Sequence, residues 1–145
     1  MFLKFSFVGL LLAIFAVYII TRYFDVAYKK KISRFSDREE LTTEEIYNKY
    51  FSDKGIPKDA MIRLWDELAD CIELPKGKLR PMDRFDRELA PEKGFEYDDP
   101  INGVFYLMKK KSQKYGLKLE YEKLETIADY IQFFGNSWDT RHNPK

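Results

Sequence analysis

Hydrophobic and polar positions divide the chain into two unlike parts. Phe5 to Ile20 reads FSFVGLLLAIFAVYII, with neither charge nor proline. Phe2, Leu3, Tyr23 and Phe24 extend the apolar run toward about 20 residues, which at ~1.5 Å per residue matches a hydrocarbon core of about 30 Å. Residues 2–24 therefore read as a transmembrane helix. Lys4 and Arg22 are placed to snorkel to the two interfaces, and Tyr18 and Tyr23 suit the aromatic belt. A cleaved signal peptide is a second reading, but Thr21-Arg22-Tyr23-Phe24 offers no small-x-small cleavage site. A buried core helix is a third. A helix apolar on every face would need a larger core than the remaining chain can build.

After Phe24 the pattern becomes charged and then amphipathic. Residues 25–41 read as a juxtamembrane linker. Thr42-Thr43-Glu44-Glu45 contains a T-x-x-E capping box and predicts a helix over 43–53, with Ile46, Tyr47, Tyr50 and Phe51 as its stripe and Gly55 as its stop. Met61, Ile62, Leu64, Trp65, Leu68, Ala69 and Ile72 recur at helical spacing and predict a helix over 58–73, with Pro57 near its first turn. Residues 74–97 read as a long loop punctuated by Pro75, Gly77, Pro81, Pro91 and Gly94, pinned to the core by Leu79, Met82, Phe85, Leu89 and Phe95. A loop of that length inside a domain is often functional.

A third amphipathic helix is expected over 99–115, capped by Asp98 or Asp99, buried through Ile101, Val104, Phe105, Met108 and Tyr115, and ended by Gly116. A short extended piece, Leu117 to Leu119, follows. Thr126 caps a last helix over 127–134, with Ile127, Ala128, Ile131 and Phe134 inward and Gly135 ending it; Trp138 is the one docking residue of the tail. The fold class is mainly α. An anchor (1–24) is followed by a linker and helix (25–56), a small helical bundle (57–135) and a tail (136–145).

Charge adds a direction. The net charge is +1, which argues against a nucleic-acid partner. Up to Ser36, however, Lys4, Arg22, Lys29, Lys30, Lys31 and Arg34 face Asp25 alone. Most of these cations follow the apolar run. The positive-inside rule then puts the domain in the cytoplasm, on a single-pass anchor in the inner or cell membrane, with export after signal cleavage as the alternative.

One cysteine, Cys71, and one histidine, His142, leave little for catalysis. A disulfide within the chain and a Cys/His zinc site are excluded. A Ser-His-Asp or Cys-His device would rest on His142 in a polar tail, where nothing holds a base rigidly. Cys71 reads as a small packed residue. Glu96, Asp98 and Asp99 form the densest carboxylate cluster, which fits a helix N-terminus better than a cation site. Asp83, Arg84, Asp86, Arg87 and Glu88 alternate in sign and read as surface ion pairs. Lys109, Lys110, Lys111 and Lys114 crowd like charge onto one helix, either a solvated face or a docking face for an acidic partner or for lipid headgroups.

The order of motifs resembles the acyl carrier protein family over residues 58–134, about half the chain. Lys78-Leu79-Arg80-Pro81-Met82-Asp83-Arg84-Phe85 is similar to its V-x-P-x-x-x-F loop, and Asp86-Arg87-Glu88-Leu89 stands where it has x-E-D-L. Lys114-Tyr115-Gly116-Leu117-Lys118-Leu119 is similar to its E-F-G-I-E-I stretch. Glu125-Thr126-Ile127-Ala128-Asp129-Tyr130-Ile131 is similar to its closing T-V-x-D-A-I-D-Y-I.

The resemblance implies a carrier-like bundle, without its chemistry. Where the family has the Asp-Ser-Leu that bears phosphopantetheine, this chain has Asp98-Asp99-Pro100-Ile101. Ser112 lies too late in the same helix to replace that serine, so no phosphopantetheine and no other cofactor is expected. The family's acidic recognition helix is basic here, so its usual enzymes should be repelled. The chain looks like the degenerate carrier-like proteins of bacteria. The expectation is a non-enzymatic, membrane-anchored module that binds another protein through Arg84, Arg87, Lys109, Lys110, Lys111 and Lys114. An immunity or inhibitor protein and an assembly protein are its concrete forms. The alternative is an accessory protein or enzyme of lipid or acyl metabolism with an apolar cavity between its helices.

Overall fold

The apolar run folds as one helix, α1, over Phe7–Ser33. In the computed structural model, which describes residues 7–91, 93 and 100–137, its 27 residues reach about 40 Å. That is long and apolar enough to cross a membrane, and none of its most apolar window is buried against the rest of the chain. The buried-core-helix reading therefore fails. α1 also continues nine residues past Phe24, into the stretch read from sequence as a linker.

Four further helices build the domain: α2 (Thr43–Tyr50), α3 (Lys58–Ile72), α4 (Pro100–Tyr115) and α5 (Ile127–Asn136). Single 3-10 turns lie at Lys76–Lys78 and Tyr121–Lys123. No strand forms among the described residues; an isolated bridge joins Arg84 and Thr126. The protein is mainly helical, as its periodicity predicts. α3 is the centre, packing on α2, α4, α5 and the first 3-10 turn. Met61, Leu64, Trp65, Leu68, Ala69 and Ile72 are all buried, and Trp65 Nε1 donates to Lys76 O at 3.1 Å.

Element ends follow local chemistry. Thr42 and Thr126 each accept from the N3 backbone N–H, and Glu45 and Asp129 each return a bond to the cap nitrogen. α2 stops at Tyr50, earlier than expected, because Tyr47 O accepts from both Phe51 and Ser52. α3 ends on Glu73 in the left-handed region at φ 55, and Gly116 at φ 63 terminates α4. α5 outruns its expected stop: Gly135 lies inside it and is needed for packing, since a Cβ there would come within 2.7 Å of Ile56.

The inward faces carry three corrections. Met82 is 73% exposed instead of pinning the loop, whereas Leu79, Phe85 and Leu89 are buried as expected. Phe105 sits at the surface of α4, and Ser112 takes the inward position after Ile101, Val104 and Met108. Tyr130 joins Ile127, Ile131 and Phe134 as a buried residue of α5, in place of Ala128, which is half-buried. Phe95 and Trp138 lie outside the described residues.

The last turn of α1 and the segment after it are held by the domain. Phe35 is buried, Arg34 donates to Glu88 O and Ala90 O at 3.2 and 2.7 Å, and Lys31 donates to Ile72 O at the end of α3. Arg38 makes a two-pronged contact with Asp83 at 2.7 and 2.8 Å, stacks over Phe35 and donates to Lys78 O. Leu41 N reaches Gly77 O at 3.0 Å, a close approach that a Cβ on Gly77 would block at 2.7 Å from Leu41 O.

Candidate functional site

The predicted partner-binding residues divide between two places. Lys110, Lys111 and Lys114 line a groove of about 370 Å³ between α3 and α4, together with Arg63, Glu67, Leu107 and Tyr115. Helical geometry explains the grouping. Lys110 and Lys114 are one turn apart on α4, and Lys111 and Lys114 stand at the other neighbouring spacing. α3 packs on α4 and brings Arg63 and Glu67, one turn apart, to the same cleft.

The lysines are not equivalent. Lys111 turns inward: its side chain is 12% exposed, ion-paired with Glu67 and 5.8 Å from the Phe134 ring centroid. Glu67 keeps 40% of its side chain exposed, so the pair holds the largely buried Lys111 cation at the edge of the groove. Lys110 and Lys114 are exposed, the latter beside the Tyr115 ring. Lys109 is exposed but does not line the groove. The groove carries four cations against one carboxylate, so it presents positive potential to a ligand.

Arg84 and Arg87 lie on the loop before α4. Arg84 bonds Asp86 at 2.8 Å and Glu125 at 2.6 Å, which push its pKa further above the ordinary arginine value. Its backbone N–H donates to Glu88 at 2.9 Å, and that bond holds the Glu88 carboxyl below its usual range. Arg87 is exposed. Asp83 departs from the surface-pair reading: its side chain is 4% exposed and bonds Arg38 and the Arg80 N–H. The backbone of this loop is tied to the start of α5 by Phe85 N to Glu125 O, Ile127 N to Asp83 O and Ala128 N to Pro81 O.

That tie shapes a second concavity. Phe85, Ala90, Pro91, Ile101, Phe105, Tyr121 and Leu124 wall a cavity of about 600 Å³. Phe105 and Tyr121 meet edge to face at 5.8 Å and leave 36% and 42% of their surfaces exposed. Arg84, Asp86, Glu122 and Glu125 supply its polar lining. The sequence signal for it was Phe105, whose spacing placed it in the core; the Tyr121–Lys123 turn that opposes it has no periodic signature.

Cys71 is the sole cysteine, and its surroundings do not activate it. Burial, then Glu67 and Glu73, push the Cys71 thiol above its ordinary pKa, the opposite of what a reactive thiolate needs. Among the described residues no cluster of His, Cys, Asp or Glu has the makings of a metal site. The Glu96, Asp98 and Asp99 cluster and His142 lie outside those residues. Comparison with protein-family models, with curated proteins and with solved structures finds no match to this chain.

Proposed function

We propose that the chain is a membrane-anchored, non-enzymatic interaction module on a carrier-like scaffold, whose α3–α4 groove receives an acidic segment of a partner protein. The observation that carries the reading is the groove itself, with exposed Lys110 and Lys114 flanking an internally neutralised Lys111–Glu67 pair. The order of α3, loop, α4, short connection and Thr-capped α5 supports the carrier-like scaffold. Arg22, Lys29 and Lys30 support a cytoplasmic domain at the cell membrane. Lys31 and Arg34 are engaged by the domain and contribute to packing as well. An immunity or inhibitor protein, and an assembly protein, both fit a module of this kind.

The test uses the full chain in lipid nanodiscs as bait. Lys110→Glu with Lys114→Glu should reduce capture of a stoichiometric partner at least tenfold, and Lys109→Glu should leave it unchanged. Lys111 is left intact, because its reversal would set two carboxylates together at Glu67. Equal capture by the double variant would remove the groove as the binding face.

A second reading, an accessory role in lipid or acyl metabolism, would place an uncharged apolar ligand in the cavity beside Phe105. Native mass spectrometry of the purified chain should then show a bound lipid, lost in Phe105→Asp.

A further inference from the structure

The cavity and the groove differ in sign. Three carboxylates, Asp86, Glu122 and Glu125, stand at the cavity against the single guanidinium of Arg84, which is already bonded to two of them. All three carboxylates are exposed. The walls are apolar, and Phe105 and Tyr121 keep open surface toward them. A volume of about 600 Å³ is within the ordinary range for ligand sites and holds a large side chain with room for its neighbours.

A fatty acid or an anionic lipid would bring its own negative charge to this rim. Like charges there act against binding, and among the described residues the one lining arginine, Arg84, is already engaged. An apolar group flanked by cations has the complementary pattern: its body displaces water from Phe85, Ile101, Phe105 and Leu124, and its charges meet Glu122 and the Oε1 side of Glu125, whereas Arg84 holds both oxygens of Asp86. We propose that this cavity is a second docking site, for a protein segment that carries one bulky apolar side chain between lysines or arginines. The proposal rests on the interaction-module reading but uses another surface. On α4, Phe105 and Lys110 are about 140° apart around the axis and about 7.5 Å apart along it.

The probe is a short fluorescent peptide with a central Leu-Trp between paired lysines, read by anisotropy against the full chain in phosphatidylcholine nanodiscs. Two companion peptides replace the lysines by glutamates or the Leu-Trp by Ser-Ser, and oleate serves as the lipid competitor. The lysine-flanked peptide should bind saturably, and both companions should bind at least tenfold more weakly. Phe105→Ser should abolish binding. Glu122→Lys, a surface change that leaves the walls intact, should weaken it severalfold. Lys110→Glu with Lys114→Glu should leave it unchanged, which separates this site from the groove. Three results would each overturn the proposal: no saturable binding, equal binding of the glutamate-flanked peptide, or full displacement by stoichiometric oleate. Unchanged binding to both Phe105→Ser and Glu122→Lys would overturn it as well.

Discussion

Tyr130 carries the clearest single-residue conflict between burial and polarity. Its side chain is fully buried, its hydroxyl has no hydrogen-bond partner among the described residues, and burial, then Glu67 and Cys71, raise its pKa well above the ordinary tyrosine value. A buried unmet hydroxyl costs about 1–3 kcal/mol, so removing it should relieve strain more than it loses packing. Tyr130→Phe is expected to be neutral or to stabilise by up to about 1 kcal/mol, measured as an unchanged or higher Tm by circular dichroism. A clear fall in Tm would mean that the hydroxyl has a partner. Asp83 is the converse case. It is a buried charge that is fully met, by Arg38 in two bonds and by the Arg80 N–H, and these draw in a residue whose alternating neighbours look like surface. Alternation of sign along a loop does not reveal which member turns inward, because Arg38 lies 45 positions away.

At the scale of elements, the legible features were those with local causes. The Thr42 and Thr126 boxes, the α3 stripe and the Gly116 stop depend on neighbours within a few residues, and each could be read in advance. What escaped reading depends on distant partners. Phe105 has the spacing of a core residue but faces Tyr121 at the rim of a cavity, and Gly135 looks like a terminator but admits Ile56. The groove was half legible: four lysines were visible, but only the ion pair to Glu67 on α3 separates Lys111 from the others. The two caps give a comparison. Thr126→Ala should lower stability by about 1 kcal/mol, as the loss of a good N-cap does. It should also blunt peptide binding at the cavity, because Glu125 and Leu124 directly precede the cap. Thr42→Ala should cost a similar amount and leave that binding intact. Paired denaturant melts and anisotropy titrations distinguish them; identical effects on binding would detach the cavity from α5.

For the whole molecule, charge sets the working range of pH. Glu45, Asp86, Glu88 and Glu120 are held below the usual carboxylate values by bonds from Thr42, Arg84, the Arg84 N–H and Lys123 respectively. A depressed carboxyl stabilises the fold above its unfolded value, about 3.9 for Asp and 4.3 for Glu, and loses that contribution as pH falls through the folded value. Lys123, raised by Glu120, keeps its contribution until strongly alkaline pH. The Tm of the full chain should therefore be flat across neutral pH and drop below about pH 4.5. Because most of these groups are solvent-exposed, the drop should be modest and should shrink in high salt. A steep loss near pH 6 would point instead to a titrating group outside this set.

α1 runs as one helix to Ser33, just before the Phe35–Arg38 clamp, so an α1 that crosses a bilayer would act as a shaft. A domain on a slack tether would present every side to the bilayer in turn; one keyed to a helix keeps a single azimuth. Adding one alanine between Asp25 and Val26 would leave the clamp intact but swivel everything beyond it by about 100° and lift it by about 1.5 Å, whereas seven added residues would restore the heading to within about 20° at greater height. A partner that is itself bound in the bilayer would lose its grip after the single insertion and recover it after the heptad. Partner engagement of this chain would then depend on helical phase, not on reach.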